Sequence, residues 1–374
     1  MRILHINSYY SGRNFYKHLY NYQVSMGYEI KVFVPVHSRV EDQIEYGSYA
    51  IISKNHSKLD RFAFHLKVDK IYKDLLRKCN VSEYSVVHAH SLFVNGFVAM
   101  TLKDHFNIPY VVSVRNTDVN VFFKRLVHLR RTGLKILENA NQIIFISDSY
   151  KRQVLSQYVP VEKRQMIADK ISVITNGIDD FWFENFPNRK YSEPNLDLNQ
   201  RTIRLLHVGD INRNKNIQTT LQAIEILRKG NNRVVFEVVG AVKNQSIFAS
   251  LLDLPYVNYL GFRNREELLG IYRNNDILVL PSIYETFGLV YAEAMSQGLP
   301  VIYTRGQGFD GQFEDGLVGY AVDSHNPSEI ADRILQIYEN YRAISEACLL
   351  HSKNYSWDII GESISNVYKS CIEC

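Results

Sequence analysis

Two doubly wound α/β domains in tandem are what this sequence predicts, and three observations predict them. At 374 residues the chain is longer than one hydrophobic core usually supports. Short apolar runs, rich in β-branched and aromatic residues, alternate with helical stretches in two separate series. Between the series, from Phe181 to Arg201, the pattern stops in a polar, aperiodic stretch with two prolines. That stretch reads as a linker.

The first series opens with a strand at Ile3–Asn7, a loop over Ser8–Asn14, a helix closed by Gly27 and a strand at Glu29–Pro35, a βαβ unit. Strands are expected at Tyr49–Ser53, Ser85–His90, Tyr110–Val114, Gln142–Ser147 and Ile171–Thr175. They are nearly continuous in apolar character, as in a parallel sheet covered on both faces. The second series runs through Ile203–Val208, Val234–Val239, Val257–Leu260, Ile277–Leu280, Val301–Thr304 and Gly319–Val322. The expected domains are 1–180 and 202–354, with 181–201 as linker. A last apolar-periodic segment, within 355–374, has no strand after it. Ligands of such domains sit at the carboxyl ends of the strands, so the expected site is the cleft between the two.

Composition narrows the function. The net charge of +4 conceals an asymmetry: residues 1–180 hold 25 Lys and Arg against 16 Asp and Glu, net +9, and the rest hold 18 against 23, net −5. A basic first half suits an anionic partner, and an anionic membrane surface fits best. Lys54–Lys78 carries eight Lys and Arg against three Asp, interleaved with Leu59, Phe62, Phe64, Leu66 and Ile71; Lys124–Lys135 is a second basic stretch. No nucleic-acid recognition motif accompanies the charge. Cys79, Cys348, Cys371 and Cys374 are too few and too scattered for a disulfide framework, and free thiols are expected. The start, MRILHINSYY, is unlike a secretory leader, and no run of about 20 apolar residues occurs. A cytoplasmic protein is expected, with peripheral contact to the inner membrane face.

The sharpest signal is Asp276–Thr304, DILVLPSIYETFGLVYAEAMSQGLPVIYT. A strand ends in Pro281 and Ser282, a loop carries Glu285, Thr286, Phe287 and Gly288, and a helix runs from about Leu289 to Gly298. A helix N-terminus beyond a strand is an anion site, and carboxylates beside it accept hydrogen bonds from vicinal hydroxyls. Glu285 lies on the loop and Glu293 one turn inside the helix. Val208–Ile217, VGDINRNKNI, also joins a strand to a helix and supplies the cation Lys215.

Glu285-x7-Glu293, set in PS-x-x-E-T-F-G-L-x-x-x-E-A-M-x-x-G-x-P-V, resembles the signature of the retaining glycosyltransferase family 4, whose fold is GT-B: two Rossmann-like domains facing a central cleft, with a C-terminal helix crossing back to the first. The resemblance covers nearly the whole chain. VHAHSLFVNG at Val87–Gly96, ITNGID at Ile174–Asp179, YLGFR at Tyr259–Arg263 and Tyr355-Ser356-Trp357 also resemble family segments. It implies that Glu285 contacts the donor sugar's hydroxyls and Glu293 the nucleotide ribose. Phe287, Gly288 and Leu289 would offer backbone amides, with Thr286 beside them. Lys215 would neutralise the leaving diphosphate, and Gly261, Phe262 and Arg263 would meet the base.

Three positions depart from the family's pattern. Asp210 stands where relatives carry Arg, so Arg213 is expected to take that part. Arg115-Asn116-Thr117-Asp118 replaces His-Gly-x-Asp, keeping the Asp, and Arg115, Asp118 and Glu285 are the expected catalytic residues. Ser11-Gly12 stands for the usual Gly-Gly, with Gly12 near the donor. Without an Asp-x-Asp pair, a metal-independent reaction with no cofactor is expected; His88 and His90, on one side of one strand, read as core or cleft histidines. The partners implied are a UDP- or GDP-type nucleotide sugar and a glycan or lipid-linked acceptor, in surface polysaccharide or glycoconjugate synthesis. A nucleotide-sugar 2-epimerase of the same fold and an inactive nucleotide-sugar-binding scaffold are the alternatives.

Overall fold

A computed structural model describes residues 1–12, 15–38, 46–187 and 202–373. The chain forms two compact units. The first comprises Met1–Gly177 with Trp357–Cys374, and the second Ile178–Ser356.

The first unit is built on a seven-stranded parallel sheet: β1 (Arg2–Ile6), β2 (Glu29–Val36), β3 (Ala50–Lys54), β4 (Val86–Ala89), β5 (Tyr110–Val114), β6 (Gln142–Phe145) and β7 (Ile171–Val173). Their spatial order is β3-β2-β1-β4-β5-β6-β7. The order reverses between β1 and β4, where His5 lies directly opposite His88. One face buries Leu4, Val87 and Val112 under helices that include Val94–Phe106. The other face buries Ile3, Val86 and Val111 under the C-terminal helix Trp357–Glu373. That helix presents Trp357, Ile360, Ile364, Val367, Tyr368 and Cys371 as one buried stripe. Fully burying each large apolar side chain of this kind contributes roughly 1.5–3 kcal/mol. The final helix thus packs on the sheet of the first unit, the crossing back that the family resemblance implied.

The second unit holds six parallel strands, β8 (Thr202–Val208), β9 (Arg233–Val239), β10 (Val257–Gly261), β11 (Ile277–Val279), β12 (Val301–Thr304) and β13 (Gly319–Val322). Their order is β10-β9-β8-β11-β12-β13, with the reversal between β8 and β11. Every expected strand is present, with ends shifted by a residue or two.

The unit boundaries fall differently from the sequence reading. Ile178 N–H donates to the Tyr355 carbonyl at 2.9 Å, and both residues pack in the second unit's core. The switch between units thus comes at Gly177/Ile178 and Ser356/Trp357. The expected linker also begins too early. Phe181–Glu184 is a helical turn whose Trp182 is buried in the second core, because three aromatics in four residues outweigh the polar stretch that follows. Residues 188–201 lie outside the described residues. Cys79 and Cys348 are buried free thiols, Cys371 is buried in the first unit, and Cys374 lies outside the described residues. No described helix is long and apolar enough to cross a membrane.

Candidate functional site

The site residues expected from sequence divide between the units: Gly12, Arg115 and Asp118 in the first, the remainder in the second.

In the second unit the chain leaves β11 through Pro281 and Ser282 and turns back into the helix Leu289–Ser296 at Gly288, whose φ is +74°. Only glycine adopts this conformation without penalty. A side chain there would also strike Tyr291, 2.4 Å from a Cβ. Tyr291 is buried and donates its hydroxyl hydrogen to the Leu280 carbonyl at 2.7 Å, fixing the turn from inside. The first N–H groups of the helix have no intrahelical acceptor and carry its partial positive charge.

Beside that terminus, Lys215 Nζ lies 2.6 Å from Glu285 Oε2, with the side chains 21% and 12% exposed. Ser282 Oγ donates to the same oxygen at 3.3 Å, and Thr286 N–H donates to Oε1 at 3.1 Å. Three asparagines, which the sequence reading passed over, brace this arrangement, and two of them tie the Lys215 loop to the Glu285 loop. Asn212 Oδ1 accepts Lys215 N–H at 3.0 Å. Asn214 exchanges hydrogen bonds with Tyr284, its Nδ2 donating to the carbonyl at 2.9 Å and its Oδ1 accepting the N–H at 3.0 Å. Asn216, at φ +54°, donates to the Pro281 and Ser324 carbonyls. The asparagine-rich run INRNKN was the available signal, since Asn tolerates left-handed backbone and bonds loops locally. From behind, Gln307 accepts Glu285 N–H at 3.1 Å and Gly308 N–H donates to the Glu285 carbonyl at 3.0 Å.

Glu293 accepts the Tyr272 hydroxyl at 3.2 Å. Burial pushes its carboxyl up to about 7, opposed by the Tyr272 bond and reinforced by Asp179. Phe287 is buried against Tyr355 and Phe309, so only its backbone is free to serve a ligand. Arg213 is exposed. Gly261 has φ +77°, Phe262 is 78% exposed, and Arg263 pairs with Glu267 at 2.7 Å.

In the first unit, Gly12 closes a short turn over Tyr10–Gly12. Asp118 begins the helical turn Asp118–Phe123. It is buried, and its carboxylate accepts the backbone N–H of Leu92 at 3.0 Å, Phe93 at 3.3 Å and Arg115 at 2.8 Å. Burial raises it to about 6 against the pull of those amides. It ties two loops together. Arg115 is half-buried; its Nη1 donates to Asn176 Oδ1 at 3.0 Å, and its guanidinium lies 5.8 Å from the Tyr16 ring centre.

His88 and His90 belong to a larger group that the sequence did not reveal. His5, one strand away, brings three buried imidazoles together, each offering a nitrogen within 4.8 Å of the others. Hydrogen bonds engage four of the six ring nitrogens. His5 Nδ1 meets His90 Nε2 at 3.0 Å, and His88 meets the Tyr368 hydroxyl at 2.6 Å and Ser113 Oγ at 2.9 Å. Burial holds His5 down near 3 and His88 and His90 well below the ordinary value, so the rings are neutral. The cluster ties β1, β4 and β5 to the C-terminal helix, as a core polar network does.

The family described as glycosyl transferases group 1 matches residues 188–348, and glycosyltransferase family 4 matches residues 13–180. The chain is 29% identical over 309 residues to a D-inositol 3-phosphate glycosyltransferase of Corynebacterium jeikeium, covering 76% of this chain and 72% of that protein. Among solved structures it is similar to sucrose-phosphate synthase from Thermosynechococcus elongatus, with a TM-score of 0.75 and 19% identity over 99% of this chain and 98% of that one. It is also similar to Anabaena HepE in complex with UDP and glucose, with a TM-score of 0.68 and 17% identity over 99% and 100% of the chains. With both halves matched and the two-sheet architecture shared, the chain belongs to glycosyltransferase family 4 and is a glycosyltransferase of the GT-B fold.

Proposed function

We propose that the protein takes a glycosyl group from a UDP- or GDP-type nucleotide sugar and passes it, with retention of anomeric configuration, to a hydroxyl of a glycan or lipid-linked acceptor during surface polysaccharide or glycoconjugate synthesis. The observation that carries the reading is the Lys215–Glu285 pair beside the N-terminus of helix Leu289–Ser296. An ammonium and a helix terminus suit the charge that builds on a leaving diphosphate, and an adjacent carboxylate suits sugar hydroxyls. Glu293, one turn on, suits the paired hydroxyls of a ribose. Phe262, exposed beside Gly261, offers a face for the base. HepE of Anabaena holds UDP and glucose in a solved complex, which supports a nucleotide sugar as donor.

In this reading the protein's own cations serve the diphosphate, and transfer proceeds without a metal. Loss of activity in excess EDTA, restored by magnesium or manganese, refutes that part. Thermal-shift screening against UDP and GDP sugars identifies the base, because a bound donor stabilises the folded state by mass action. NMR of the product's anomeric proton decides retention. A product that is only a free sugar isomer favours the 2-epimerase reading instead.

A second proposal concerns the membrane. Of the apolar residues in the basic stretch, Ile71 is buried with Val68 and Leu75, so it is not free for lipid. Leu59, Phe62 and Leu66 are exposed among Lys58, Lys67 and Lys73, and this edge of the first unit is the surface we assign to an anionic bilayer.

A further inference from the structure

Three buried polar atoms without a hydrogen-bond partner belong to residues lining one space in the first unit: Arg115 Nε, Trp357 Nε1 and His90 Nδ1. The space is partly open to solvent and lies between the carboxyl ends of the central strands and the start of the C-terminal helix, with Ser113 and Asn176 also on its wall. No carboxylate lines it. The Arg115 guanidinium makes no ion pair among the described residues, since the nearby Asp118 carboxylate is taken up by backbone amides.

We propose that this space is a subsite for a phosphoryl oxyanion, held by Arg115, Trp357 and His90. Arginine and indole N–H groups are donors only. The neutral His90 ring accepts at Nε2 when His5 Nδ1 carries its proton, and the His90 proton then sits on Nδ1, a third donor. Several donors around one uncompensated cation call for an acceptor-rich anion. A water molecule offers two lone pairs and no charge, whereas a phosphoryl group offers three oxygens and balances the guanidinium. Groups that stay buried without partners are costly, and a bound anion relieves that cost. The subsite rests on the proposed transfer only for its use, which is to hold a phosphate ester carried by the acceptor. Binding itself is independent of that reading. Such a role also explains an arginine in place of the expected histidine, because guanidinium is permanently charged and forks onto phosphate oxygens.

The test uses the full-length protein labelled with ¹⁵N. The chain has two tryptophans, so it gives two indole N–H resonances, and Trp357→Phe assigns one by its loss. Titration with inorganic phosphate is expected to move the Trp357 resonance saturably. Arg115→Gln is expected to weaken binding by about tenfold or more, and Arg115→Lys by less. Lys215→Ala, in the second unit, should leave the response intact. A Trp357 resonance that does not move in wild type, or that moves equally in Arg115→Gln or Arg115→Lys, overturns the subsite. A response lost in Lys215→Ala overturns it too, by locating the phosphate in the second unit. A sugar phosphate that binds more tightly than inorganic phosphate identifies an ester as the source; the reverse order identifies free phosphate. A donor thermal shift run in parallel reports separately on the transferase reading.

Discussion

The two units share one architecture and place their polar chemistry in opposite ways. In the second unit, Lys215, Glu285 and Glu293 lie on loops and a helix end, within two short segments that the asparagines zip together. In the first, the polar groups are drawn from β1, β4, β5, the turn before Ile178 and the C-terminal helix, and most are buried. A site made of contiguous loops is set by local turn chemistry. One assembled across a sheet depends on every element that brings a member to it. Damage to the second unit's site should therefore fall on rate with the fold intact, and damage to the first unit's network should fall on stability as well.

The largest expected effects test that division. Glu285→Ala or Lys215→Ala should lower turnover on the order of 100-fold or more at nearly unchanged melting temperature. Asp118→Asn should instead lower the melting temperature, since it weakens a buried carboxylate held by three amides, a change costing about 3 kcal/mol. Equal stability losses in Asp118→Asn and Glu285→Ala, measured by calorimetry, break the comparison.

Next is Gly308→Ala. A Cβ there would lie 1.7 Å from the Thr286 carbonyl oxygen, so the Glu285 loop must shift. A displacement of about 1 Å at a reacting group costs on the order of 100-fold in rate. Steady-state kinetics should show this fall in kcat with circular dichroism unchanged; unaltered kcat argues that the loop tolerates movement.

Acidity offers two signatures of opposite sign. Glu293, raised to about 7, is neutral in the fold over the range where the unfolded chain is already ionised, so its contribution to stability is lost as pH rises from about 4.5 through 7. Donor binding should run the other way, tightening several-fold as the carboxylate forms, and Glu293→Gln should flatten that profile in a calorimetric titration. The buried histidines have the opposite sign. His5 and His207 are held near 3, so they stay neutral while the unfolded chain takes up protons below 6.5. Their contribution should be complete above 6.5 and fall steadily toward 3, read as the urea midpoint at each pH in a Glu293→Gln background. A midpoint independent of pH between 6 and 4 contradicts the neutral-histidine assignment.

The smallest expected effect is at the membrane edge. Each basic residue near an anionic surface contributes about 1 kcal/mol. Replacing Leu59, Phe62 and Leu66 together with Ser should reduce co-sedimentation with anionic vesicles and leave activity on a water-soluble acceptor unchanged. Equal binding of wild type to neutral and anionic vesicles removes this proposal.

The second unit's site was largely legible because its residues are near neighbours in the chain. The spacing of Glu285, Gly288 and Glu293 follows one strand–turn–helix, and turn chemistry is local. What escaped there were Asn214 and Asn216, whose partners lie 65 to 108 residues away, and Asn212, which braces Lys215 within its own loop. In the first unit, Asp118 was found by motif, but not its burial among backbone amides. Its three amide partners are set by backbone folding, and no side-chain pattern announces them. Arg115 was identified, but not its position beside Asn176 and Trp357.

The sequence alone determined the alternation of strand and helix, the thirteen strands of the described residues, the two sheets they imply and the turn at Gly288, because apolar periodicity and turn residues act over a few positions. Only the tertiary structure decided which residue of a strand meets which residue of another. Parallel pairing placed His5 opposite His88, and the C-terminal helix, returning to a sheet begun more than 350 residues earlier, brought Trp357 and Tyr368 to His90 and His88. Contacts between residues so far apart are fixed by the burial of whole faces, and that information is spread over the chain rather than written at any one site.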